Sequence, residues 1–254
     1  MKKENLETKI VVCMMCQEEE DYIELSLRSV MNFADAIIVV DGGSKDNTLN
    51  IIDQLSDERF TILKNSYDKF DPGMDGKQRN VYLNHVKKYY EGWWCLVVDA
   101  DEVVGDTGVL LRETLKTKDR QGYKVASPRM EHFIYDLNKV DATAEKHFCP
   151  CRIFKIEKGL SYPNIKHTIL KINNEDFDTS YGFNCETITL FHLGYLRGIF
   201  KVMQRFRDNL NNSPIHDENF LNNWKSAHIS GQYPVKKYFG PYPRTLRKYF
   251  GLVE

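Results

Sequence analysis

The chain has 254 residues, 42% hydrophobic and 28% charged, which is long enough to bury a full core and too apolar for wholesale disorder. Its formal net charge of −1 argues against nucleic acid, and no nucleic-acid partner is expected. No apolar run approaches the ~18 residues of a membrane helix, and Met1 to Lys9 lacks the apolar stretch of a secretory leader. A cytoplasmic protein, free or peripheral on the inner face of the membrane, is the expectation. Lys9 to Met15 reads as a first strand, buried on both faces. Acids follow at 18–21, and Ile23, Leu27, Val30 and Met31 then recur at helical spacing. Ala36 to Val40 is a second buried strand, ending in Asp41-Gly42-Gly43-Ser44, a turn that leads into a helix through Leu49, Ile52 and Leu55. Phe60 to Leu63 is a short third strand, residues 64–76 are turn-rich, and a helix from Lys77 to Tyr90 leads to the next strand.

That strand, Trp94 to Val98, is five apolar residues without a break, and it stops at Asp99, Asp101 and Glu102. In a parallel α/β sheet the carboxyl ends of the strands open onto the crevice where ligands bind. Asp99 and Asp101 repel each other unless a positive charge joins them, and a hard divalent cation with oxygen ligands is the usual answer. The acids at Glu18–Glu20, Asp41–Asp46 and Asp99–Glu102 each follow an apolar strand, so they converge on one edge. There they can hold a metal and accept hydrogen bonds from a base and a ribose. Arg79 supplies a counter-charge for phosphate. Strand and helix alternate throughout this half, which predicts an α/β fold with a largely parallel sheet over 1–126.

From Ser127 the pattern weakens after a strand at Tyr123 to Ala126. Strand-like pieces at Arg152–Ile156, Ile169–Ile172 and Thr187–Phe191 predict a mixed or antiparallel part over 127–232, with a helix over 197–212. The tail from 233 to 254 holds Lys236, Lys237, Arg244, Arg247 and Lys248 interleaved with aromatics. Gly240-Pro241-Tyr242-Pro243 divides it into two basic pieces. It is read either as a contact with anionic lipid or an anionic acceptor, or as a segment pinned to the domain by Tyr238, Phe239 and Phe250. The six cysteines are read as reduced, mostly buried thiols. Cys13 and Cys16 lie three apart on a strand and face opposite sides.

The segments VVCMMCQEEEDYIELSLRSV, IIVVDGGSKDNT, KQRN and WWCLVVDADE, in this order and spacing, resemble glycosyltransferase family 2 on a GT-A fold, with its bacterial lipopolysaccharide-core-type branch the nearest. The likeness runs through residues 9–126 and more thinly through Arg152-Ile153-Phe154, His167 and His192-Leu193-Gly194-Tyr195. It implies a Rossmann-like sheet with a helical tail, a nucleoside-diphosphate sugar donor, a glycan, lipid-linked or protein acceptor, and a divalent cation, Mn2+ or Mg2+. By resemblance Asp41 reads the nucleobase and Glu19 is the acid of an Asn-Glu pair. Asp99 lies near the ribose, Asp101 is the direct metal ligand, and His192 is a further one. Glu18 replaces the usual Asn, Gly42 a common second Asp, and Thr168 a Glu that follows His in the branch.

An inverting transfer needs a base for the acceptor's proton. Glu131 is the candidate, with Asp136 another. Two alternatives carry less of the pattern. One is a haloacid-dehalogenase-type phosphatase, which needs its Asp-x-Asp on the first strand; here three strand–helix units precede it. The other is a GT-A-fold protein that binds without transferring, a reading that Thr168 keeps open.

Overall fold

The computed structural model describes residues 7–68, 71, 73–143, 151–165, 169–176, 182–198, 201–203 and 218–252. Its first half is built on β1 (Ile10–Cys16), β2 (Ala36–Asp41), β3 (Phe60–Lys64) and β4 (Trp94–Val97), all parallel in the order β4-β1-β2-β3. Helices α1 (Ile23–Val30), α2 (Thr48–Leu55) and α3 (Met74–Tyr89) connect them. Ile10, Val12, Met14 and Cys16 pack on one face with Ile23, Leu27 and Ile52, while Val11 and Cys13 meet Tyr82, Leu83 and Val86 of α3 on the other. Helices on both faces are why these strands read as unbroken apolar runs. Each fully buried aliphatic side chain here contributes roughly 1.5–3 kcal/mol. Cys13 and Cys16 do face opposite sides, and both thiols are free and buried.

The second half continues with β5 (Glu102–Val104), α4 (Leu111–Arg120), β6 (Val125–Ile134), β7 (Asp136–Asp141) and β8 (Ile153–Lys155). The short β9 (Leu160–Ser161), β10 (Lys171–Ile172) and β11 (Glu175–Asp176) form a separate antiparallel sheet. The long β12 (Gly182–His192) precedes α5 (Glu218–Ile229), β13 (Val235–Lys237) and α6 (Arg244–Phe250). β8 joins the two halves, running antiparallel to both β4 and β6. β12 is parallel to β6 and antiparallel to β5, while β7 is antiparallel to β6 and β13. The sheet is therefore parallel first and mixed later, as the weakening pattern predicts.

β6 is longer than its sequence shows. The expected strand stops at Ala126, yet pairing runs on to Ile134 through Pro128. Pro128 is tolerated because the β12 register shifts immediately after its partner Cys185, and such irregularities accept a residue without an N–H donor. Of the helix expected over 197–212, residues 197–198 are described and are not helical, 201–203 are helical and the rest lie outside the described residues, as do His167 and Thr168.

The tail is docked. β13 pairs with β7, and Leu246 of α6 is fully buried among Tyr22, Leu25, Val103 and Leu193. Tyr238 and Tyr242 pack on Phe133, with ring centroids 5.2 and 6.2 Å away. Phe239 and Phe250, expected as anchors, are not: Phe239 is 84% exposed and Phe250 37%. Among the described residues no helix is long and apolar enough to cross a membrane.

Candidate active site

The parallel strands bring their carboxyl ends together as expected, Cys16 of β1 beside Asp41 of β2. Asp41 is buried, and its carboxylate accepts the backbone N–H of Gly43 at 3.0 Å and of Ser44 at 3.2 Å. The turn after β2 thereby orients this acid while leaving it acceptor capacity for a ligand. The Cys16 thiol, 4.0 Å from Asp41 Oδ1, is pushed up by burial and by the Asp41 and Glu19 carboxylates, and so stays a thiol. Tyr67 covers Gly42: a Cβ there would lie 2.2 Å from the ring, which leaves no room for a second Asp.

After β4 the chain closes a tight turn from Asp99 to Glu102. The Glu102 N–H donates to the Asp99 carbonyl at 2.9 Å, and the Asp99 N–H donates to Glu102 Oε2 at 2.8 Å. Ser26 of α1 clamps the same turn from below, its hydroxyl donating to the carbonyls of Asp99 and Glu102. The two aspartates leave this turn toward different partners. Asp99 meets Arg152 Nη2 at 2.7 Å and Arg79 Nη2 at 3.3 Å. Burial pushes its carboxyl up, but the Arg152 and Arg79 guanidiniums outweigh this and hold it well below the usual carboxylate range. Arg152 also lies 3.1 Å from Glu102, which is 0% exposed; there burial wins and raises the carboxyl to about 8.

Asp101 Oδ2 lies 3.8 Å from His192 Nε2 and 3.8 Å from Arg197 Nη2. Arg197 is itself clasped by Glu19, lies 3.6 Å from Asp21 and stacks on Tyr22 with its guanidinium 5.1 Å from the ring centre. His192 reaches this point because β12 ends there, and the Leu193 N–H donates to the Asp101 carbonyl at 2.8 Å. A Cβ on Gly194 would lie 2.6 Å from Asp101 Oδ2 and 2.8 Å from His192 Nε2, so glycine keeps this space clear. A carboxylate oxygen and an imidazole nitrogen aimed into one cleared space fit a divalent cation. Among the described residues no three His, Cys, Asp or Glu side chains form a ready-made cage, so most of such an ion's coordination would fall to ligand and water.

Thus Glu19, Asp101 and His192 come together around Arg197, and Arg79 meets Asp99. Glu131 does not join them. It and His132 are neighbours on β6 and face opposite sides. His132 lies toward the site, its ring 5.1 Å from that of His192, and burial holds it down at about 4. Glu131 lies instead in a cavity with Arg129, Phe191 and Tyr238. In sequence Arg152 carries only the resemblance and Arg197 carries no signal, yet together they supply the positive charge that the acid-rich edge requires.

The sequence matches the family model described as glycosyl transferase family 2 over residues 11–202. The chain belongs to that family. This family 2 glycosyltransferase carries its strand-end acids on the α/β architecture of the GT-A fold. No curated protein matches it. Among solved structures it resembles the mannosyltransferase PcManGT from Pyrobaculum calidifontis, solved with GDP-Man and Mn2+. That match has 13% identity and a TM-score of 0.51, and covers 90% of this chain and 70% of that one. It also resembles TarS of S. aureus, with 15% identity, a TM-score of 0.50 and coverage of 89% of this chain. The family 2 chain spans 43% of that longer protein. At these identities the likeness shows a shared fold.

Proposed function

We propose that this glycosyltransferase moves a sugar from a nucleoside-diphosphate sugar to an acceptor, with inversion, in the presence of a divalent cation held by Asp101 and His192. The observation that carries the reading is the Asp101–His192 pair at the carboxyl edge of the parallel sheet, with Gly194 leaving its space open. The mixed oxygen and nitrogen donors favour Mn2+ over Mg2+, and the PcManGT complex with Mn2+ and a nucleotide sugar supports the same choice. When bound, the cation would stabilise charge on the leaving diphosphate.

The chain's own residues then divide the work. Asp41, oriented by two backbone N–H groups, accepts from the nucleobase. Asp99 faces the ribose and is kept ionised by Arg152 and Arg79. Arg79 and Arg197 present guanidinium N–H groups toward the diphosphate, and Glu19 fixes where Arg197 points. The acceptor enters through the cavity of about 600 Å³ lined by Tyr135, Tyr195, Arg197 and His228. The segments Arg152-Ile153-Phe154 and His192-Leu193-Gly194-Tyr195 support a place near the lipopolysaccharide-core-type branch.

The test is release of nucleoside diphosphate from a panel of nucleotide sugars with and without Mn2+. Wild type should turn over at least one donor only with the cation. Asp101→Asn should lose about a hundredfold or more of that rate, which is ~2.7 kcal/mol of barrier. Undiminished turnover by Asp101→Asn in EDTA would sink the proposal. The anomeric configuration of the product, read by NMR, decides inversion.

A further inference from the structure

A second cavity, of about 480 Å³, lies on the face of β6 and β12 turned away from Asp101 and His192. Its volume is that of a small-ligand site, roughly 300–1,000 Å³. Phe191 and Tyr238 form its apolar wall, their rings 6.2 Å apart and perpendicular. Three cations and three acids line it together, among them Arg129 and Lys237 against Glu131 and Glu186. Arg129 and Glu186 already lie within 3.5 Å of each other. Two cations of the tail, Lys236 and Lys237, therefore share this cavity with Arg129 and with the acids Asp106, Glu131 and Glu186. A lining so balanced gives an anionic surface no net attraction, whereas it offers hydrogen-bond donors and acceptors in equal measure.

Phe239 stands at the rim. An 84% exposed phenylalanine on a loose loop needs no explanation, but this loop is braced. The Tyr238 N–H donates to the Asn138 carbonyl at 2.8 Å, and the Tyr238 hydroxyl donates to the Pro241 carbonyl at 2.9 Å. Gly240 passes so close under the Tyr238 phenol that a Cβ would lie 2.5 Å from its oxygen. The loop thus holds an apolar ring out in water at the edge of a polar cavity. A ligand that offers an apolar face to an aromatic ring and hydroxyls of both hydrogen-bonding senses to the walls is a pyranose. We propose that this cavity is a second, non-catalytic binding site for a neutral oligosaccharide, with Phe239 as stacking platform and Glu131 and Arg129 as its polar contacts.

The experiment is calorimetric titration of the full chain with neutral hexasaccharides of α-1,4-glucose, β-1,4-glucose and β-1,4-N-acetylglucosamine. Saturable binding to at least one is expected, undiminished by saturating GDP or UDP with Mn2+. Phe239→Ala and Glu131→Gln should each weaken it about fivefold or more, the scale of one lost contact, with melting temperatures unchanged. No binding to any of the three, or equal binding by both variants, overturns the proposal. So does displacement by nucleotide with Mn2+, which would put the sugar at Asp101. If Phe239→Ala instead abolishes co-sedimentation with phosphatidylglycerol vesicles while no hexasaccharide binds, the loop is a membrane contact and the proposal falls.

Discussion

At the scale of single residues, the edge of the sheet is organised by how each carboxylate finds its cation. Arg152 serves Asp99 and Glu102, and Arg197 serves Glu19 and Asp101. Gly194 is the residue on which the open space depends. Gly194→Ala should cut cation-dependent turnover at least about tenfold, or ~1.4 kcal/mol of barrier. Its melting temperature should barely move, because the atoms it meets are side-chain ends. A Mn2+ titration of activity that matches wild type would show that the space is not used. Glu18 gives the opposite kind of prediction. Its φ of 57° is left-handed, a conformation that Asn tolerates better than Glu, which accounts physically for the Asn usual in the family there. Glu18→Asn should stabilise by about 1 kcal/mol, seen as a rise of about 2–4 °C in Tm. The Glu18 N–H bond to Ser44 is a backbone bond that both variants keep, so no rise in a thermal melt would show that the left-handed backbone costs Glu no more than Asn here.

At the scale of elements, what was legible in the sequence and what was not divide along one line. Strands buried on both faces announce themselves as apolar runs, so β1, β2 and β4 and the acids at their ends could be read directly. Arg152 and Arg197 could not, because each meets an acid remote in the chain, and only the folded sheet brings them together. The face of Glu131 was lost for a related reason: the strand that fixes it continues through Pro128, which in sequence reads as a stop. α3 shows how an element places a functional group. Gly76 lies one turn before Arg79 and approaches the loop after β9 so closely that a Cβ would lie 1.9 Å from the Pro163 carbonyl oxygen. In an open helix Gly→Ala gains up to ~1 kcal/mol, but overpacking against backbone costs about 1–3 kcal/mol. Gly76→Ala should therefore lower the melting temperature and, by shifting α3, weaken nucleoside-diphosphate binding. Calorimetry showing wild-type affinity would mean that Arg79 keeps its place despite the clash.

For the whole molecule, the tail is part of the core. Ending the chain at Gln232 would strip Leu246, Tyr238 and Tyr242 from Phe133, Phe191 and Val103. Losing a buried Leu alone costs about 2–5 kcal/mol, against a total stability of roughly 5–15 kcal/mol. The shortened chain should lose its cooperative melt by circular dichroism, and a wild-type Tm would show the tail to be dispensable. β6 runs through the middle of this packing with different neighbours on its two sides. Met130 and His132 answer to one set of surroundings, Arg129 and Glu131 to another, although they alternate along a single strand. Variation at His132 would act on the side of His192 and Asp101, and variation at Arg129 and Glu131 on the second cavity, with little interference. Insertion or deletion of one residue would exchange both sets at once. The strand admits substitution at these partly exposed positions, while its buried ends and its length are fixed.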